Sequence, residues 1–322
     1  MNTDLYVVIE HLRGQVADIS YVMLAAARHL TQGSGGEVVA VLLGNNAQSL
    51  ANDFAADRVL YLEHEALTDF TSDAYQKALA GLLKDRAPRA VLFGHTSVGM
   101  DIAGGLSAQL GWPLVSQVRN LFAADGTLQF VSQICGGKIM AEGELPGPSA
   151  LITMIPGVFK PEAGRGAHPP QVTAVTVPTL QDLRVTLKGY VEPEAGDVDI
   201  AREPILIAVG RGIQNQDNLE LAEELATALG GVVCASRPVV DQGWLQTTRL
   251  VGKSGKTVKP KIYLTLGISG AQEHAEGMSE SETIIAINTD PSAPIFNLAK
   301  YGTTTDLFDL VPLLTEKVRQ AK

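Results

Sequence analysis

The run Ile262-Tyr263-Leu264-Thr265-Leu266 passes directly into Gly267-Ile268-Ser269-Gly270-Ala271-Gln272-Glu273-His274. A mostly apolar five-residue segment closed by glycine reads as a buried strand that turns sharply into a helix start, which commits this part of the chain to an α/β layer. Ser269 and Gln272 stand three apart, the spacing of a capping box. Backbone N–H groups at such a turn, free of bulky side chains, suit a phosphate or pyrophosphate. His274 follows one helical turn on and is expected beside whatever carries the phosphate. An unperturbed histidine titrates near ~6.5, so it is expected to act there by charge or by hydrogen bond according to pH.

The same rhythm extends along the chain. Strand-like runs fall at residues 5–9, 37–43, 58–62 and 90–93, with helical patterns over 20–30, 73–83 and 100–110. Alternation at this spacing implies a mainly parallel sheet covered by helices. Residues 128–135, 138–142 and 149–154 then read as strands with no helix between them, and the Pro/Gly-studded stretch 156–178 as extended and loop-like. The acidic segment Tyr190-Val191-Glu192-Pro193-Glu194-Ala195-Gly196-Asp197 marks a boundary. Beyond it come strands at 205–209, 232–235, 261–266 and 283–287, and a helix at 219–229 stopped by Gly230-Gly231. At 322 residues two domains are expected: a three-layer α/β domain over 1–195 and a Rossmann-like parallel-sheet domain over 196–322.

In the second domain four strands each end in a polar loop bearing glycine or proline: Gly210-Arg211-Gly212, Ser236-Arg237-Pro238, residues 267–274, and Asn288-Thr289-Asp290-Pro291. Carboxyl ends of parallel strands converge on one edge, so these loops together can enclose something larger than one phosphate. A guanidinium at Arg211 or Arg237 would stabilise negative charge on such a ligand. Asp306-Leu307 follows a flexible Gly302-Thr303-Thr304-Thr305 and offers hydrogen-bond acceptors for a sugar or base, or a helix cap.

Several motifs fail on inspection. Gly252-Lys253-Ser254 lacks the earlier glycine of a P-loop, since Thr247 stands there, although lysines at 253, 256, 259 and 261 leave a basic loop. The serine in Gly267-Ile268-Ser269-Gly270-Ala271 lacks the closing glycine and the later histidine of a hydrolase elbow. A stand-alone NAD-dependent dehydrogenase would need a third glycine where Asn215 stands. Net charge of −10 argues against broad nucleic-acid binding. Cys135 and Cys234 are too few and too far apart for a local zinc site or a cysteine-ligated iron–sulfur cluster. The start Met1-Asn2-Thr3-Asp4 carries no basic leader, and no apolar run approaches about 18 residues, so a cytoplasmic protein without membrane insertion is expected.

Taken together, the loop at 210–212, Ser236-Arg237-Pro238-Val239-Val240-Asp241-Gln242-Gly243-Trp244-Leu245, the 267–271 turn, Ala286-Ile287-Asn288-Thr289-Asp290-Pro291, Ala293-Pro294-Ile295-Phe296, Tyr301-Gly302 and Asp306-Leu307-Phe308 resemble the α subunit of electron transfer flavoproteins. The match runs in order through 204–312 and more loosely through the first half. The resemblance implies FAD in the C-terminal domain and a β-subunit partner that completes the pocket. It also implies electron exchange with a flavin-dependent dehydrogenase, a partner-subunit flavin or a quinone-reducing acceptor, with a bifurcating complex as the variant within this class. It places FAD contacts at Arg211, Ser236, Arg237, Val251, Gly252, Lys253, Ser254, Ser269, Gly270, Ala271, Gln272, Glu273, His274, Asn288, Asp306 and Leu307. Ser254 is implied at the flavin N5 edge, His274 at N1/O2, and Arg237 over the ring. The chain departs from the family at Leu250 and Lys253, where glutamines are usual, and at Gln272-Glu273, usually Ile-Gln. The opposite charges of Lys253 and Glu273 are expected to offset one another around the flavin.

Overall fold

The computed structural model describes residues 2–124, 127–135, 139–156, 158–190 and 198–321. The chain divides into two compact units, Met1–Gly189 and Tyr190–Lys322. The boundary expected after residue 195 lies within 191–197, outside the described residues.

The first unit opens with β1 (Leu5–Val8), a small hairpin of β2 (His11–Leu12) and β3 (Gln15–Val16), and α1 (Asp18–Ser34). The expected alternation follows: β4 (Val38–Gly44), β5 (Arg58–Glu63), α2 (Ser72–Arg86), β6 (Ala90–Gly94) and α3 (Ser97–Leu110). With β7 (Leu114–Ala124), β8 (Thr127–Ile134), β9 (Ile139–Glu144), β10 (Ala150–Met154) and β11 (Gln171–Ala174) these strands build a nine-stranded sheet ordered β11-β5-β4-β1-β6-β10-β7-β8-β9. Pairing is antiparallel at β7–β8 and β8–β9 and parallel elsewhere. Leu5 and Val7 pack with α1 on one face, while Tyr6 and Val8 pack with α2 and α3 on the other. Strand residues alternate between faces, so a strand buried on both sides must be apolar throughout, as these are.

Two features differ from the sequence pattern. The stretch 156–178, expected as loop, contains a 3-10 turn (Pro161–Gly164) and β11, which pairs in parallel with β5 at the sheet edge. Beyond it the chain is fastened to α2, where the Arg184 N–H donates to Asp73 at 2.6 Å and Lys77 donates to the Gln181 and Asp182 carbonyls. The eleven residues of β7 bury few side chains fully, among them Val118 and Leu121, and a bulge shifts the pairing register, so no clean alternation marks this strand.

The second unit contains β12 (Ile205–Val209), α4 (Leu219–Leu229), β13 (Val232–Ala235), α5 (Arg237–Asp241), β14 (Ile262–Leu266), α6 (Gln272–Ala275), β15 (Thr283–Ile287), β16 (Tyr301–Thr303) and α7 (Leu307–Gln320). Its sheet is wholly parallel, ordered β13-β12-β14-β15-β16. α4 buries Ala222, Leu225 and Ala226, and each fully buried leucine stabilises the fold by about 1.5–3 kcal/mol. Val209 is the register partner of both Ala235 and Leu266, and Leu266 of Ile287. The residues that follow these four therefore share one edge. Strand order reverses between β12 and β14, which makes that gap the switch point where ligands settle in open α/β sheets. Among the described residues no helix is long and apolar enough to cross a membrane.

Candidate functional site

The loops at this edge are joined backbone to backbone. Gly210 N–H donates to the Leu266 carbonyl at 2.9 Å, and Gly212 N–H to the Gly267 carbonyl at 3.2 Å. A Cβ on Gly210 would lie 2.3 Å from the Gly267 oxygen, so a side chain there would force the two loops apart. Ser236 N–H donates to the Val209 carbonyl at 3.0 Å, which brings Arg237 to the neighbouring strand end. Asn288 ties the other side together, its side-chain amide donating to Ile268 O at 2.8 Å and its backbone N–H to Thr303 O at 3.2 Å. Arg211, Ser236, Arg237, Ser269, Gly270, Ala271 and Asn288 thus lie on one continuous edge.

A second group forms around the turn 251–256. Val251 N–H donates to Ala235 O at 2.9 Å, Gly252 N–H to Lys256 O at 3.2 Å, and Gly255 N–H to Gly252 O at 2.9 Å. Lys253 N–H donates to the Glu273 carbonyl at 2.6 Å and seats the turn against α6. Gly252 has φ +136°, and a Cβ there would meet that same carbonyl at 2.7 Å, so glycine is required. Ser254 projects from this turn with an exposed hydroxyl.

His274 occupies a different environment from the one expected. It is buried, its Nδ1 lies 3.0 Å from the Val251 carbonyl, and its Nε2 lies 3.0 Å from the Tyr263 hydroxyl. A carbonyl only accepts, so Nδ1 carries the proton. Burial pushes the imidazole down to about 4, against a smaller upward pull from the Val251 bond. The ring is neutral at physiological pH with both nitrogens taken by the protein.

Other expectations change as well. Ser269 and Gln272 form no capping box, because the helix N-cap is Ala271, Ser269 instead gives its carbonyl to Ile295 N–H at 3.0 Å, and α6 is a single turn. The Lys253 ammonium faces Glu276 at 4.0 Å rather than Glu273. Two further lysines of the basic loop are paired, Lys256 with Asp199 at 2.7 Å and Lys259 with Glu280 at 2.7 Å. Asp306 caps α7, accepting from Phe308 N–H at 3.0 Å. The side chains of Val251 and Leu307 are buried in the core. Asn288 spends its side-chain oxygen on Asp290 N–H and its amide on Ile268. These residues shape the loops through the protein. Tyr263 and Glu276 were not singled out in the sequence, and Cys234 was named only for the metal sites it excludes. A tyrosine inside a wholly buried strand was a readable signal, because its hydroxyl needs a partner.

What remains open at the edge suits an anionic ligand. Among the described residues the backbone N–H groups of Ser269, Gly270 and Ala271 are bonded to no protein acceptor. Arg211 is exposed, and Arg237 is exposed with a loose ion pair to Asp241 at 3.4 Å. Gln272 Oε1 is a buried acceptor without a partner. Free N–H groups, two guanidiniums, a hydroxyl and an unpaired amide oxygen are the donor and acceptor set that a pyrophosphate joined to a polar ring system requires.

Comparison with known proteins agrees. Residues 5–180 match the model of the electron transfer flavoprotein domain and residues 199–279 that of the electron transfer flavoprotein FAD-binding domain. The chain is 35% identical over 310 residues to the electron transfer flavoprotein subunit alpha of Bacillus subtilis (strain 168), covering 95% of this chain and 94% of that one. It is 35% identical over 325 residues to the subunit alpha of Thermoanaerobacterium thermosaccharolyticum, covering 99% and 98%. Protein FixB of Azotobacter vinelandii is 34% identical over 330 residues, covering 97% and 90%. The cofactor is FAD. Loops joined at a parallel-sheet edge, the donors left open there, and similarity across nearly the whole length lead to one conclusion: the chain belongs to the electron transfer flavoprotein α-subunit family.

Proposed function

We propose that this chain holds FAD at the edge formed by residues 210–212, 236–237, 251–254, 269–274, 288 and 306–307. In this reading it accepts electrons from a flavin-dependent dehydrogenase, or from a flavin in its β-subunit partner, and delivers them to a quinone-reducing acceptor. The observation that carries the reading is the set of unpaired N–H groups at Ser269, Gly270 and Ala271 beside the exposed Arg211 and Arg237. FAD supplies the one- and two-electron chemistry. The N–H groups would bind its phosphates, and Arg237 would stabilise negative charge on its ring. The Ser254 hydroxyl would donate a hydrogen bond to it. His274, neutral and internally bonded, holds the Val251 turn in place. FAD binding belongs to residues 196–322.

The test is co-expression with the β subunit, FAD counting, and rapid-mixing reduction by a flavin-dependent dehydrogenase. One FAD per chain, with electrons passed to an acceptor, supports the reading. A full-length protein that stays colourless with added FAD overturns it. A fragment of 1–195 is expected to stay colourless, and FAD on that fragment overturns the domain assignment.

A further inference from the structure

We propose that Tyr263 is a positioning residue for the flavin edge, acting through His274 on the turn that carries Ser254. The proposal rests on the FAD reading above for its redox consequence, but not for its structural part. Tyr263 is fully buried among Leu206, Ala208, Cys234, Val251 and Val258. A hydroxyl in such surroundings is costly unless hydrogen-bonded. Its partners run in one direction. Cys234 S–H donates to the Tyr263 oxygen at 3.9 Å, Tyr263 O–H to His274 Nε2 at 3.0 Å, and His274 Nδ1–H to the Val251 carbonyl at 3.0 Å. Each donor has one acceptor, and the chain ends at the first residue of the turn 251–256. The Val251 carbonyl, which only accepts, fixes the proton on Nδ1, and the Tyr263 hydroxyl pairs the Nε2 that this tautomer leaves as an acceptor. Without the hydroxyl, Nε2 is an unpaired acceptor in an apolar core. The ring is then free to turn or change tautomer, and the Val251 anchor loosens.

The experiment uses the full chain with its β subunit, with and without FAD. In Tyr263→Phe, amide hydrogen exchange over 251–256 is expected to rise about tenfold, the loss of one buried hydrogen bond. FAD is expected to dissociate about tenfold faster, with a shifted midpoint potential. Exchange within twofold of wild type without FAD overturns the proposal whether or not the flavin reading stands. A protein that binds no FAD overturns the flavin reading alone. Val258→Ala removes core packing without touching the hydrogen bonds. If it moves exchange over 251–256 and the potential as far as Tyr263→Phe does, the role of Tyr263 is merely structural and the proposal fails. Should Tyr263→Phe not fold, nitrogen NMR on the wild type decides: His274 protonated on Nδ1 supports the proposal, and on Nε2 overturns it.

Discussion

Lys253 gives its backbone N–H to the Glu273 carbonyl at 2.6 Å yet turns its ammonium toward Glu276, 4.0 Å away. Backbone and side chain thus bind two different acidic residues of the same helical segment. Glu273 is exposed, and its carboxylate is not the one that the Lys253 ammonium faces. A pair that is about a third exposed is worth roughly 0.2–1 kcal/mol after screening. In a double-mutant cycle on the flavin midpoint potential, Lys253→Gln is expected to couple with Glu276→Gln and to add independently to Glu273→Gln. Coupling between Lys253 and Glu273 as large as that with Glu276 would refute this.

His274 should make stability depend on pH in a defined window. Burial holds its folded value at about 4, against 6.5 for the free side chain. The unfolded state therefore binds the proton more readily, and the contribution is complete above about 6.5 and lost as pH falls toward about 4. The loss is on the order of 3 kcal/mol. Urea unfolding at pH 7.5 and pH 5 is expected to show a smaller difference for His274→Gln than for wild type. Equal differences in the two proteins would mean that His274 is not buried as a neutral ring.

Where one apolar run ends in glycine, local sequence and fold agree. Ile262–Leu266 closed by Gly267 is the clearest case, and the four loops that follow strands in the second unit could be placed on one edge from that pattern. The chemistry within the edge was less legible because it depends on long-range partners. Nothing in the spacing of Tyr263 and His274 tells that they meet, since the first lies in a strand and the second beyond a turn set by Gly270 at φ +85°. The same turn moves Ser269 off the helix, which is why its spacing to Gln272 misled. α7 was also hidden, because Pro312 interrupts the helical pattern near its start.

Two glycines with similar backbones should behave differently. Gly243 has φ +74° and open space around it, whereas a Cβ on Gly270 would lie 2.3 Å from Ile295 N. That N–H is the donor to Ser269 O. Gly243→Ala is expected to cost about 1 kcal/mol from backbone conformation alone. Gly270→Ala must also displace the Ser269 loop, so FAD retention should fall more than about tenfold. Equilibrium dialysis of both variants checks this, and equal FAD affinity for the two would show that the 269–271 loop is not part of the site.

Glu10, in the first unit, offers a stability test that does not involve the residues of the FAD edge. Its carboxylate accepts from the Thr96 hydroxyl at 2.7 Å, and Thr96 in turn caps α3 by accepting from Gly99 N–H at 3.0 Å. Glu10 lines a cavity together with Phe70, Tyr75 and Phe93. Burial raises the Glu10 carboxyl above its ordinary value, and the Thr96 bond offsets this only in part. For an acid raised on folding, stability is highest below the unfolded value and declines as pH rises through the folded one. Glu10→Gln keeps an acceptor for Thr96 and removes the charge that burial penalises. At pH 7 it is expected to stabilise the unit by about 1 kcal/mol, raising its Tm by about 2–4 °C. The gain should shrink as pH falls through the carboxyl range. Calorimetry at pH 7 and pH 4.5 measures both quantities, and a Glu10→Gln variant with a lower Tm at pH 7 would show that the charge of Glu10 serves the fold.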